Sequence, residues 1–324
     1  MKSSKVLTDL TTALLIAGVA IASGPSLDPG LLKYKKVEGL RGTLNAAGSD
    51  TMLELQTLLA EEFRKLYPQV KIQVEGKGSS TAPPALIEGT VQLGNMSRKM
   101  KHRETDAFEE EFGYEPTRFD VALDTLAVFV NKDNPLESMT IEQVDATFSK
   151  TRKCGGAADV NTWGGLGLGG NWLTAPTSLY GRNAASGTYG YFKKHALCGG
   201  DYKDSVKEQP GSASVVQGIE KDQYGIGYSG IGYKTSGVRA LPLSRGDGEP
   251  AIAASSENAA NGSYPLARFL HVYVNKAPGK SLDRLTGEYL RFMLSAQGQR
   301  VVIKAGFDPL DAATAALQLQ VLED

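Results

Sequence analysis

Short segments that combine glycine with hydroxyl or guanidinium side chains follow several of the predicted strands. The four segments are Gly48-Ser49-Asp50-Thr51, Gly78-Ser79-Ser80-Thr81, Ser97-Arg98, and Arg182 followed by Ser186-Gly187-Thr188. Such a turn places backbone N–H groups and a hydroxyl at the start of a helix, where hydrogen bonding and the helix dipole favour an anion. A single turn of this kind is usually a helix N-cap. Four turns converging on one cleft would supply about eight to ten donors for a small tetrahedral oxyanion.

The elements around the first three turns repeat the order strand, polar turn, helix. The pattern predicts strands over 42–47, 70–74 and 91–94, and helices over 53–66, 83–89 and 104–112. The first helix carries one apolar stripe, formed by Leu55, Leu59, Phe63 and Leu66. This order is typical of a parallel α/β sheet with a functional loop at the carboxyl end of each strand.

Two long apolar strands, near 121–130 and 267–275, are each followed by Asn-Lys. Between them the pattern predicts a strand that ends at 182, a strand-turn segment over 225–232, and helices over 139–149, 191–197 and 211–220. The long strands are interpreted as two crossings between lobes, which would form a hinge beside a cleft. The predicted first lobe is 43–126 plus 263–324, and the predicted second lobe is 127–262.

Charge and composition exclude several classes of protein. The 324 residues include 35 Lys plus Arg and 36 Asp plus Glu, which gives a net charge of -1. A nucleic-acid-binding protein should carry an excess of basic residues, so nucleic acid is not expected as a partner of this chain. The three His and two Cys are too few for the common Cys/His type of zinc cluster, and no metal or cofactor is expected.

The amino terminus has the features of a secretory signal peptide. Lys2 and Lys5 precede an apolar run over 13–22, which ends in the small-x-small pattern Ala20-Ile21-Ala22. The alternative is a hydrophobic first helix, but the Gly, Ser and Pro that follow would break it. We therefore expect a cleavable peptide over 1–22 and a poorly ordered leader over 23–42. No Cys lies directly after the apolar run to carry a lipid anchor, and no later apolar run reaches 18 residues, so we expect an unanchored periplasmic protein.

Cys154 and Cys198 are the two cysteines of the chain. In an oxidising compartment, the simplest prediction is one disulfide between them. The bond would close a loop of about 44 residues and stabilise the fold by about 3–4 kcal/mol in the chain-entropy model. The alternative is a pair of buried thiols.

The four polar turns described above, together with Gly227-Tyr228 and the Gly-Phe-Asp-Pro-Leu run at 306–310, carry a resemblance to a known family. The chain resembles the periplasmic phosphate-binding proteins of phosphate ABC importers. The resemblance extends from about residue 43 to residue 310. It implies an α/β, two-lobed periplasmic binding protein of type II-like fold, in which each lobe is a mixed sheet flanked by helices and two crossing strands form the hinge. It also implies a monomer that is not an enzyme and that delivers inorganic phosphate to the permease subunits of an importer.

The resemblance also assigns roles to individual residues. Its most specific part is Arg-x-x-x-Ser-Gly-Thr, which in that family clamps phosphate from the second lobe. In the first lobe, the resemblance assigns ligand contacts to Thr51, to the backbone N–H of Met52 and to the Ser79 hydroxyl. The candidate ligand-binding residues are Ser49, Asp50, Thr51, Met52, Ser79, Ser80, Ser97, Arg98, Asp124, Arg182, Ser186, Gly187 and Thr188.

The chain departs from the family pattern at Ser97, where some members carry an Asp. That Asp accepts a hydrogen bond from protonated phosphate and repels sulfate, which has no proton to donate. Here Asp124 or Asp50 must supply the carboxylate. We favour Asp124, because Asp50 has an alternative role as the N-cap of the 53–66 helix. Arg98 is either a source of extra positive charge at the site or a solvated surface charge.

Two other kinds of function compete with phosphate binding. A binder of another oxyanion, such as sulfate or molybdate, would use a similar cleft. A secreted phosphatase or other hydrolase could use Ser186 or Ser79, although no His or Lys base and no metal cluster adjoins those serines in the sequence. An additional role in a surface appendage is neither favoured nor opposed by any residue.

Overall fold

The computed structural model describes residues 25–324. The predicted signal peptide over 1–22 lies outside the described residues. The strands are β1 (Gly42–Gly48), β2 (Val70–Glu75), β3 (Leu93–Met96), β4 (Thr117–Asn131), β5 (Met139–Thr140), β6 (Ser178–Arg182), β7 (Lys207–Gln209), β8 (Gly225–Gly230), β9 (Val238–Ala240), β10 (Leu243–Ser244) and β11 (Ala267–Val274). The helices are α1 (Leu53–Leu66), α2 (Ala82–Ile87), α3 (His102–Phe112), α4 (Ile141–Phe148), α5 (Gly187–His195), α6 (Ser212–Lys221), α7 (Ser256–Ala260), α8 (Arg284–Met293), α9 (Ala296–Lys304) and α10 (Ala312–Glu323).

One continuous sheet runs through the molecule. Its strand order is β2-β1-β3-β11-β4-β8-β6-β7, and β9 also pairs with β4. Strands β2, β1 and β3 are parallel, whereas β11 is antiparallel to both β3 and β4. The first part of β4 pairs with β11, and its last part, from Leu126, pairs with β8. The sheet is therefore mixed on both sides of β4, and the predicted α/β fold with mixed sheets flanked by helices is confirmed.

Two large groups of buried apolar side chains lie on either side of this junction. The first contains Val121 and Leu270, together with Phe63 from α1. The second contains Leu126 and Leu266, together with side chains of α4 and α5. Along β4 the change from one group to the other falls between Ala122 and Leu126, and along β11 it falls between Leu266 and Leu270. The division into two lobes stays a prediction.

Residues 25–42 of the predicted leader are packed against the first core, whereas poor order was expected. Leu31 and Leu40 are buried in the first core. The Tyr34 hydroxyl lies 2.6 Å from the Tyr67 hydroxyl and donates to Glu288 at 2.8 Å. The expectation of poor order over 25–42 was therefore wrong. It was based on the Pro/Gly/Lys-rich composition and overlooked the few apolar side chains that pack against the first core.

The predicted disulfide between Cys154 and Cys198 is present, with the two Cα atoms 5.2 Å apart. It ties the loop after α4 to the segment that follows α5. The strand predicted over 91–94 is observed as β3, Leu93–Met96. Across residues 25–324, no helix has the length and apolar character needed to cross a bilayer.

Candidate functional site

The predicted anion-binding turns meet at the carboxyl ends of the parallel strands. The Thr51 hydroxyl, after β1, lies 2.8 Å from the Thr188 hydroxyl at the start of α5. The Ser79 hydroxyl, after β2, lies 3.3 Å from the Ser97 hydroxyl, after β3, and accepts a hydrogen bond from the Ser97 N–H at 3.1 Å. All four residues are buried. Turns from both predicted lobes are thus in direct contact around one site.

The turn before α5 is built by local hydrogen bonds. Ser186 is the N-cap of this helix, and its hydroxyl accepts from the N–H groups of Thr188 and Tyr189 at 3.1 and 3.3 Å. Gly187 follows, and a Cβ atom there would lie 2.2 Å from Ser79 Oγ and 2.6 Å from Ser97 Oγ. Only a residue without a side chain permits this approach between the two turns.

Arg182 ends β6 and is 2% exposed. Its Nη1 donates to Ser212 Oγ at 2.7 Å and lies 3.3 Å from Asp50 Oδ2. The same Asp50 oxygen accepts from the Ser212 N–H at 2.8 Å. Burial lowers the pKa of the Arg182 guanidinium, and the Asp50 carboxylate opposes that change.

The alternative role of Asp50 as the N-cap of the first helix was wrong. Helix α1 begins at Leu53 with Met52 at the N-cap position, and no side chain caps it. Asp50 instead holds Arg182 and the start of α6. The Asp50 carboxylate contacts the guanidinium of Arg182, which lies far along the chain, instead of the N–H groups of its own helix.

Asp124 is fully buried and forms an ion pair with Arg268. Its Oδ2 accepts from Nε and Nη2 of Arg268 at 3.0 and 2.8 Å. Arg268 also donates to Thr188 Oγ1 and to Ser97 O, both at 2.8 Å. Burial raises the pKa of Asp124, and Arg268 opposes the rise. The pair therefore lies against the turns of both predicted lobes.

Arg98 lies beside the site, but its guanidinium forms an ion pair with Glu104. Its Nη1 and Nη2 each donate to a carboxylate oxygen of Glu104 at 2.7 Å, and Nη2 also donates to Ser80 Oγ at 3.2 Å. The guanidinium in contact with Thr188 and Asp124 is instead that of Arg268.

Sequence reasoning missed Arg268 and Ser212. Arg268 is a charged residue in an otherwise apolar crossing strand, and this could have marked it. Its partner becomes visible only from the register, which places it opposite Asp124. Ser212 starts α6 directly after Gly211, a further glycine–hydroxyl pair before a predicted helix.

The site combines two buried guanidinium groups, the buried Asp124 carboxylate, the partly buried Asp50 carboxylate and several buried hydroxyls. Among the described residues, three of its buried polar atoms have no protein hydrogen-bond partner: Ser49 Oγ, Asp124 Oδ1 and Arg182 Nε. Buried polar atoms are normally hydrogen-bonded. A guest that both accepts hydrogen bonds and donates one proton would satisfy this set. Within residues 25–324, no group of three His, Cys, Asp or Glu side chains could hold a metal ion.

Comparison with known proteins gives a consistent result. A family model described as a PBP superfamily domain matches residues 35–297. The chain is 53% identical over 323 residues to the phosphate-binding protein PstS of Pseudomonas aeruginosa, covering 99% of each chain. A phosphate ABC transporter substrate-binding protein with bound phosphate, from Clostridium perfringens, matches with a TM-score of 0.71 and 23% identity, covering 83% of this chain and 100% of that one. An ABC-type phosphate transport receptor from Vibrio cholerae matches with a TM-score of 0.62 and 21% identity, covering 82% and 100%.

The two structural matches show a shared fold, and the match to the Pseudomonas protein shows the family. The family model spans most of the chain, including both crossing strands. The chain therefore belongs to the PBP superfamily and, within it, to the PstS family of phosphate-binding proteins.

Proposed function

We propose that this protein binds inorganic phosphate between its two lobes and delivers it to the permease of an ABC importer. The observation that carries the proposal is the buried Asp124–Arg268 pair, which leaves Asp124 Oδ1 without a protein partner beside the converging turns. Protonated phosphate can donate its hydrogen to that oxygen while its other oxygens accept from the guanidinium, hydroxyl and N–H groups. Sulfate has no proton at neutral pH, so the carboxylate would repel it.

The proposed ligand groups come from both lobes. They are the hydroxyls of Thr51, Ser79, Ser97, Ser186 and Thr188, the N–H groups of Met52 and Gly187, the guanidinium groups of Arg182 and Arg268, and the carboxylate of Asp124. We assign a supporting role to Asp50, which orients Arg182, and to Arg98, which holds the Ser80 turn.

The protein is proposed to act by binding and release, without changing its ligand. Contacts such as Thr51 to Thr188 and the Ser80 N–H to Ala185 O, at 3.1 Å, join the lobes in the closed form. Opening would separate these contacts and expose the ligand to solvent. The proposed location is the periplasm, with the closed form docking on the importer.

Isothermal titration of ligand-stripped protein with phosphate, sulfate and molybdate tests the proposal. Phosphate is expected to bind with micromolar or tighter affinity, about -8 kcal/mol or better, and to be preferred over the other anions. The absence of heat with phosphate would overturn the proposal, and a preference for sulfate or molybdate would support the other-oxyanion alternative. Turnover of a chromogenic phosphate ester would support the hydrolase. Delivery is tested by phosphate accumulation in permease-containing vesicles, which should require the added protein.

A further inference from the structure

A second cavity adjoins the proposed phosphate site. It has a volume of about 570 Å³ and lies between segment 98–102, helix α5 and the start of β11. Arg268 lies in its wall and also donates to Thr188 in the phosphate site, so the two sites share one guanidinium. The cavity is within the size range of small-molecule sites.

The wall of this cavity is strongly basic. Arg98 and Arg268 are paired with Glu104 and Asp124, but further basic side chains surround the space. These are Lys99, Lys101, His102, Lys194 and His195. In the part of the chain that the structure describes, no Asp or Glu lines the cavity. The three lysines give the wall an excess of positive charge at neutral pH, which favours an anion.

Two basic side chains of the wall, Lys101 and His195, have lowered pKa values. Burial lowers the pKa of Lys101, and the neighbouring Arg98 charge lowers it further. Burial also lowers the pKa of His195, with additional effects from Lys194 and Arg268. An anion placed among these groups would relieve their mutual repulsion.

Aromatic rings form another part of the wall. The rings of Tyr191 and His195 stack with their centroids 4.2 Å apart, and the Arg268 guanidinium lies 5.0 Å from the centroid of the Tyr191 ring. Phe269 also lines the cavity and is 38% exposed. Flat, polarisable surfaces of this kind accept a planar ring.

We propose that this cavity binds a nucleoside diphosphate or a similar aromatic phosphate ester. Its phosphoryl groups lie among Lys99, Lys101 and Lys194, and its ring lies against Phe269 and His195. The walls come from segments of both proposed lobes, so the ligand holds those lobes together. If the proposed phosphate function is correct, the nucleotide therefore slows phosphate release.

Isothermal titration of phosphate-saturated protein with ADP tests this proposal, with pyrophosphate and adenosine as the comparison ligands. ADP is expected to bind, and each comparison ligand to bind at least about tenfold more weakly, because each lacks one half of the recognised structure. The double substitution Lys101→Ala/Lys194→Ala should weaken ADP binding by at least about tenfold through lost charge-assisted contacts.

The matched control is Lys193→Ala, in the same helix. Lys193 pairs with Asp201 at 2.8 Å and does not line the cavity, so ADP should bind this variant normally. Phosphate affinity, measured without ADP, should be unchanged in both variants, which separates this test from that of the phosphate site. The proposal is overturned by an absence of ADP binding up to about 1 mM, by displacement of phosphate by ADP, or by normal ADP binding to the double variant.

Discussion

Asp124 and Arg268 lie opposite each other on neighbouring antiparallel strands, and Arg268 donates two hydrogen bonds to a single oxygen of Asp124. The other oxygen, Oδ1, is buried without a protein partner among the described residues. A buried ion pair is not by itself a strong stabilising device, because desolvation offsets much of the attraction. The arrangement instead fixes one acceptor beside the converging turns and keeps its charge compensated.

The substitution Asp124→Asn should relax the rejection of sulfate. The new amide can donate where the carboxylate repels, so the ratio of sulfate Kd to phosphate Kd should fall by at least about tenfold. Titration calorimetry measures both constants. Asp50→Asn is the comparison: it should weaken phosphate binding through Arg182 while leaving the discrimination in place. Unchanged discrimination in Asp124→Asn would move the acceptor role to Asp50.

Arg182→Ala should weaken phosphate binding by well over about 2 kcal/mol, because it removes a charge-assisted partner from a buried site. It also leaves the Asp50 carboxylate without its guanidinium partner. Titration calorimetry gives the affinity, and a denaturation curve shows whether the variant is folded. Arg300→Ala, an exposed arginine of α9, is the control and should bind normally. Near-native affinity in a folded Arg182→Ala protein would place the ligand elsewhere.

Gly187→Ala should hinder closure of the cleft. The added Cβ would meet the Ser79 and Ser97 hydroxyls at 2.2 and 2.6 Å, and overpacking of this kind costs about 1–3 kcal/mol. We expect phosphate affinity to fall by about five- to 150-fold, with a larger radius of gyration in small-angle scattering with phosphate present. Gly190→Ala is the control in the same helix, since its Cβ would lie 3.4 Å from Arg98 Cδ. Wild-type affinity and radius in Gly187→Ala would show that the turns need not approach this closely.

The buried His271 side chain should make the free energy of unfolding decrease in mild acid. His271 Nδ1 lies 2.6 Å from Asp120 Oδ1. Burial lowers the pKa of His271, although Asp120 opposes that change and the Arg118 and Lys99 charges reinforce it. As pH falls below about 6.5, the unfolded chain therefore takes up a proton before the folded protein does, and the free energy of unfolding decreases.

Urea denaturation at about pH 7.5 and about pH 5.5 measures this loss. His271→Asn, which keeps a hydrogen-bond donor for Asp120, should lose less stability between the two conditions than the unsubstituted protein. The exposed His102→Asn variant should retain the original pH dependence. An equal loss in His271→Asn would contradict the assignment to this buried histidine.

Much of the local structure followed from residues that are close in sequence. The apolar stripe of the first helix, the Ser186 cap before α5 and the strand-turn-helix order all depend on spacings of a few residues, which the backbone geometry converts directly into shape. The disulfide was also predicted, because only one pairing of two cysteines exists and the compartment was inferred from the amino terminus. The late helix α10 and the packed leader were missed, since their burial depends on distant surfaces.

By itself, then, the sequence determined which turns carry hydroxyl, guanidinium and backbone N–H groups at the ends of strands. The tertiary structure decided how the charges pair. Arg268 joins Asp124 across 144 positions, and Asp50 reaches the Ser212 N–H across 162. Ion pairs depend on distance in space and on desolvation, and both are set by strand register and by how the two lobes pack rather than by any local pattern.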